Sequence, residues 1–221
     1  MMIRSVILWC SIFLFEGFSA FGQVNDAQMW LSIAGQKRIT KNCTIILNPE
    51  FRIGENIGKL NRFSSDVGFE YKVSRYIKGA LFYRFILDRM QNNSYESKHR
   101  FYVDINAKVK AKKLVVNYRV RYQNQYQDVG GGIDWRMPKS YLRNKVAVRY
   151  VIGKRWTPSI NYELWTNLDD RMNDNFRVGT SIDYELNKRN ALSFSYFYNK
   201  EINSTNPWTF YIVMAEFVHT F

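Results

Sequence analysis

Residues 114–126 read LVVNYRVRYQNQY, and this stretch decides the fold. Taken at every second position, one track is Leu114, Val116, Tyr118, Val120, Tyr122, Asn124 and Tyr126. The other is Val115, Asn117, Arg119, Arg121, Gln123 and Gln125. A period of two is the geometry of a strand whose side chains alternate between faces, whereas a helix places these residues on no common stripe. The same alternation runs through 63–73, 77–87, 100–109, 142–152, 156–168, 176–186 and 192–198. Across the eight segments the apolar tracks carry no charged residue, while the opposite tracks, taken together, carry many of both signs.

Alternation alone fits a soluble two-sheet sandwich as well as a membrane barrel. Three features favour the barrel. The segments are mostly about ten residues or longer, the length a tilted strand needs to cross a bilayer. Trp156, Tyr126, Tyr184 and Tyr198 stand near the ends of apolar tracks, where an interfacial girdle belongs. The chain ends on Phe221, preceded at two-residue steps by Phe217, Ala215, Val213 and Tyr211. That ending, with His219 as its one departure, reads as a membrane-insertion signal for a barrel-assembly machinery.

The chain is 221 residues long, enough for one sizeable domain. Residues 1–22 have the layout of a cleaved secretory signal: Arg4, an apolar run from Val6 to Phe15, and Ala20-Phe21-Gly22 before the cut. Residues 23–221 then form a single barrel. Cys10 leaves with the signal, so the mature chain keeps one cysteine, Cys43. One thiol and two histidines argue against a disulfide framework and a Cys/His zinc site, and no metal or cofactor is expected.

Eleven strand candidates can be counted, from 28–38 to 209–221. An even number is expected of a bacterial single-chain barrel. The expectation is therefore an all-β, antiparallel transmembrane barrel of ten to twelve strands, with 23–38 either a lumenal segment or an extra strand. The inward positions Phe210, Ile212, Met214 and Val218 of the last strand are apolar, and Trp30, Leu31 and Ile33 of a lumenal segment would cover them. Short periplasmic turns alternate with longer extracellular loops at 55–61, 89–97, 128–139, 169–175 and 201–207. The longest of these, 128–139, holds Gly130-Gly131-Gly132.

The net charge is +13. Much of it sits beside the short turns (Lys37, Arg38, Lys41, Arg75, Lys112, Lys113, Lys154, Arg155, Lys188, Arg189), where it would anchor the barrel in outer-membrane lipid. An exported barrel is a poor candidate for binding nucleic acid. The inward tracks collect Glu50, Arg52, Arg84, Arg100, Arg119, Arg121, Arg143, Arg149, Glu163 and Arg177. Interlocked arginine–carboxylate pairs would fill a small lumen, and the surplus arginine offers an anion-binding surface. Ser97 and His99 share a face and are the one nucleophile–base candidate; a pair two apart on one strand rarely makes that contact.

The chain resembles the barrel family catalogued as domain of unknown function 2490. The residues that carry the resemblance are Trp30, Glu50-Phe51-Arg52, Asn117 to Tyr122, Tyr141-Leu142-Arg143 with Val148-Arg149-Tyr150, Tyr162-Glu163, and Asn175 to Gly179. They span nearly the whole mature chain. The resemblance implies an outer-membrane barrel and brings no activity with it. The resulting expectation is an outer-membrane protein with a charged, largely occluded lumen, non-enzymatic, in a binding or structural role. A narrow channel for small anionic solutes comes next, and a lipid-modifying enzyme after it.

Overall fold

The computed structural model of the chain describes residues 24–129 and 132–221, so the secretory-signal expectation and Gly130-Gly131 lie outside the described residues. The described chain forms eleven strands and no helix: β1 (Val24–Arg38), β2 (Cys43–Gly54), β3 (Lys59–Lys72), β4 (Ile77–Arg89), β5 (Tyr95–Ala111), β6 (Leu114–Val129), β7 (Gly132–Tyr150), β8 (Trp156–Asn167), β9 (Met172–Glu185), β10 (Asn190–Glu201) and β11 (Trp208–Thr220). Each strand pairs antiparallel with the next. The ring closes where β1 meets β11 in parallel, from Val24↔Trp208 to Gln36↔Thr220.

The expectation of an even count is corrected here. The wall holds eleven strands, so its first and last run the same way and the closing seam is parallel. Residues 24–38 are a wall strand, not a lumenal segment. Their alternation explains why: Trp30 and Ala34 point in at 5% and 4% exposure, while Leu31 and Ile33 face out at 40% and 58%. A strand with two such faces serves the wall, and pairing on both sides leaves no sheet edge open. Trp30 does cover the inner face of β11, packing with Phe197, Ile212, Phe210 and Met214, but Leu31 and Ile33 do not.

Residues 128–139 also differ from expectation. β6 and β7 continue through most of this span, with Gln127↔Asp134, Asp128↔Ile133 and Val129↔Gly132 in register beyond a bulge between Gln125 and Gln127. Cross-strand pairing overrides the loop-forming glycine and aspartate. The other connections at this end are brief (55–58, 90–94, 168–171, 202–207), so much of the expected loop length appears as strand extension. Glu55, Asn56 and Ile57 take φ values of 51°, 55° and 63° in the β2–β3 turn.

Two glycines make room for rings in the lumen. A Cβ on Gly68 would overlap Phe82, and one on Gly179 would overlap Phe197. Phe82 stacks on Tyr102 at 5.0 Å, so the Gly68 contact sets the position of an aromatic layer. On the outside, large apolar side chains stand exposed right around the ring, including Leu47, Phe69, Leu81, Ile105, Ile160, Ile182 and Val213.

Candidate functional site

The register places like charges directly opposite one another on the inner face. Arg52 faces Arg62, Arg84 faces Arg100, Arg121 faces Arg143, and Arg119 faces Lys145. Such pairs repel. They persist because buried carboxylates from neighbouring positions thread between them. Glu50, 5% exposed, accepts from Arg52 Nε at 2.7 Å and lies 3.8 Å from Arg84. Asp66 binds Arg84 through two bonds, and Asp104 accepts from Arg121 Nε and Nη2, each at 2.7 Å. Two parallel N–H···O bonds are the strongest geometry a guanidinium offers a carboxylate.

Glu163 on β8 is the hub. It is 1% exposed, and its Oε1 accepts from Arg119 Nη2 at 2.6 Å and from Arg143 Nη2 and Nε at 2.8 and 3.0 Å. Its Oε2 lies 4.0 Å from Arg177 Nη1. Arg100 is one exception to this neutralisation, and Lys145, opposite Arg119, is another. Arg100 is 9% exposed, donates to Gln125 Oε1 at 2.5 and 3.2 Å, and has no carboxylate at ion-pair distance among the described residues.

Aromatic faces carry part of the cationic load. Arg52 lies 3.7 Å over Trp30, Arg121 lies 3.8 Å over Tyr102, and Arg143 lies 3.9 Å over Trp165. Guanidinium is weakly hydrated and stacks well, so an arginine can be kept from water where a lysine could not.

All ten of the site residues expected from sequence face inward. Glu50, Arg52, Arg84, Arg100, Arg119, Arg121, Arg143, Glu163 and Arg177 come together around one mid-lumen cavity of ≈ 420 Å³. Arg149 does not join them; it pairs with Asp183 at 2.6 Å near the turn end, with both side chains about a third exposed. Sequence reasoning missed Arg62, Trp30 and Trp165 as site residues. The available signal for Trp165 was an indole on the otherwise polar track that continues from Asn161 and Glu163.

Above the mid-lumen cavity a wider vestibule of ≈ 730 Å³ opens at the end bearing the β2–β3 and β4–β5 connections. Trp30, Arg52, Arg62, Trp165 and Arg177 line both spaces, so this layer separates them. The described chain sends no helix or strand into the lumen; only side chains cross it.

The Ser97–His99 pair is not assembled. The Ser97 hydroxyl donates to Asp128, and His99 Nδ1 lies 2.7 Å from the Tyr83 hydroxyl. Among the described residues no group of three His, Cys, Asp or Glu side chains has the arrangement of a metal site, and Cys43 is a free thiol.

The family model described as "Protein of unknown function (DUF2490)" matches residues 27–210. A search of curated proteins finds no significant match. Among solved structures, one described as "NanC porin structure in rhombohedral crystal form" is 14% identical, covers 78% of this chain and 86% of its own, and gives a TM-score of 0.49.

Proposed function

The chain belongs to the DUF2490 family of proteins of unknown function, and from its own geometry we propose that it is a non-enzymatic, anion-binding outer-membrane barrel. The membrane reading rests on the exterior. A monomer in water rarely exposes contiguous apolar surface beyond a few hundred Å². Here apolar side chains encircle the barrel, and each rim carries outward aromatic pairs: Trp156 with Tyr184 at 4.3 Å near one end, Tyr198 with Tyr211 at 5.7 Å toward the other. Lipid tails satisfy that belt, headgroups suit the cations beside the turns, and Phe221 serves recognition by the barrel-assembly machinery.

The observation that carries the anion reading is Arg100, buried and charged without a carboxylate among the described residues. A charge removed from water calls for a counter-charge or a dense set of dipoles. Gln125 supplies one amide oxygen. A small anion in the mid-lumen cavity supplies the rest.

A second reading, a narrow anion-selective channel, is favoured by the shared layer between the two cavities. Side chains alone close it, and side chains move far more readily than a folded plug. Purified full-length chain in planar bilayers separates the two. The binding reading expects no steady current, together with a rise in the heat-modification midpoint when inorganic phosphate is added. A steady current reversing on the anion side supports the channel instead. Cation-selective current, or absence of both current and phosphate effect, overturns both. Fractionation to a compartment other than the outer membrane would remove the premise.

A further inference from the structure

The wide vestibule carries an inference that rests on the anion-binding reading and gives it a ligand class. Its volume of ≈ 730 Å³ lies within the range of small-molecule sites. Lysine and arginine outnumber aspartate and glutamate six to three among its lining residues. Most of those cations are already engaged: Arg62 and Lys98 with Asp88, Arg89 and Lys59 with Glu55, Arg52 with Glu50. Arg177 is the least neutralised of them. Its nearest carboxylate oxygen is 4.0 Å away on Glu163, and its Nε donates to Asn199 at 3.2 Å.

Beside Arg177 the polar lining is incomplete. Nine buried side-chain polar atoms among the described residues have no hydrogen-bond partner, and four of them belong to vestibule residues. Asn61 Oδ1 and Asn175 Oδ1 are acceptors without a donor, while Trp165 Nε1 and Arg89 Nε are donors without an acceptor. Asn175 is 8% exposed. It precedes Arg177 by two positions on the same face of β9 and is paired in register with Trp165, so the three form one patch. Buried polar groups left unpaired cost about 1–3 kcal/mol each, and such atoms gathered at one cavity mark where a partner belongs.

The mixture of orphans defines that partner. A simple carboxylate only accepts hydrogen bonds, so it satisfies Arg177, Trp165 and Arg89 but leaves both asparagine oxygens unpaired. Inorganic phosphate, with its one or two P–OH groups clustered on a single small ion, cannot reach both asparagines from a position on Arg177. A hydroxyl donates and accepts, so a ligand bearing several of them meets both kinds. We infer that the vestibule binds a polyhydroxylated organic anion of monosaccharide size, its acidic group toward Arg177 and its hydroxyls toward Asn61, Asn175 and Trp165. Sugar acids and sugar phosphates share this chemistry.

The test is titration calorimetry on the detergent-solubilised full-length barrel with glucuronate, glucose 6-phosphate, glucose, acetate and inorganic phosphate. Glucuronate or glucose 6-phosphate should bind at least about ten-fold more tightly than glucose and than acetate or phosphate; which of the two leads identifies the acidic group. Trp165→Phe keeps a ring but removes the N–H, and Asn175→Leu keeps the volume but removes the amide. Each should weaken the leading ligand by about ten-fold. Asn175→Leu should do so with no loss of thermal stability, because its Oδ1 has no partner among the described residues, whereas Trp165→Phe also trims the ring beneath Arg143 and should lower the melting midpoint as well. Glucose binding as tightly as glucuronate overturns the acidic-group assignment. Acetate or phosphate binding as tightly as glucuronate overturns the hydroxylated ligand while leaving the anion-binding reading intact. Should neither glucuronate nor glucose 6-phosphate bind, the inference falls; phosphate binding then leaves the anion-binding reading standing, and its absence removes that reading too.

Discussion

Replacing Glu163 by glutamine tests whether the lumen is held together by its central carboxylate. Glutamine keeps the size and one acceptor oxygen, so a hydrogen bond from Arg143 or Arg119 survives, and only the charge is lost. That charge stands within 2.6–2.8 Å of Arg119 and Arg143 and 4.0 Å from Arg177. At an effective dielectric constant near 20, each such contact is worth roughly 4 kcal/mol of attraction. Relief from burying a carboxylate at 1% exposure returns a large part of it. Breaking one member of a buried ion cluster nets about 3–5 kcal/mol of destabilisation, because the remaining charges stay buried. The retained acceptor places Glu163→Gln at the lower end, about 3 kcal/mol. The internal control is Asp183→Asn, which cuts the Arg149 pair where both partners are about a third exposed; solvent screening limits that loss to below about 1 kcal/mol. Urea unfolding in detergent or lipid, followed by heat-modifiable migration, measures both. Equal losses would refute the reasoning, since burial and the number of shared arginines would then not matter.

Three further outcomes follow from the fold. Gly179→Ala should destabilise the barrel by about 1–3 kcal/mol, because its methyl would need the space of the Phe197 ring; an unchanged unfolding midpoint would show that the ring has room to move. Leu31→Arg should lower stability by up to about 2–4 kcal/mol in bilayers, depending on its depth, while the same change in a soluble-protein surface would cost little. Full stability of that variant in lipid would return 24–38 to the lumen. A cysteine at Asn25, at the vestibule end of β1, should react with a membrane-impermeant maleimide in intact cells, and protection there would reverse the orientation.

Much of the wall was legible because each strand states its own two faces. Residues 114–126 predicted both the outward Tyr118 and Tyr122 and the inward Arg119 and Arg121, and the register bears this out. The site residues were legible for the same reason: a charged side chain on an inward position of a closed barrel has nowhere else to go. What failed was whatever depended on the two ends of the chain meeting. The parallel seam joins residues about 180 positions apart, such as Ser32 and Glu216, and no local pattern encodes that pairing. Arg149 failed differently, since alternation gives the face but not the height. It points inward like Arg143 yet sits a few residues nearer the turn end, where Asp183 and water meet it.

The odd strand count and the arginine-rich interior are physically compatible because side chains, not backbone, close this lumen. Trp30, Ile212 and Phe197 fill the inner face of the parallel seam with apolar surface at mid-height, between Asp26 toward one end and Glu216 toward the other. That aromatic sector then becomes the support for Arg52 and Arg177, which lie 3.7 and 5.1 Å over Trp30. Charge and apolar packing therefore meet in one layer, between the two cavities. The consequence is a prediction about Trp30 itself. Trp30→Ala removes the seam filler and the guanidinium support together, so it should cost about 3–5 kcal/mol of stability and also open the layer between the cavities. Conductance in planar bilayers should rise with the loss of stability. A destabilised variant whose conductance equals that of the parent would place the constriction lower, among the arginines around Glu163.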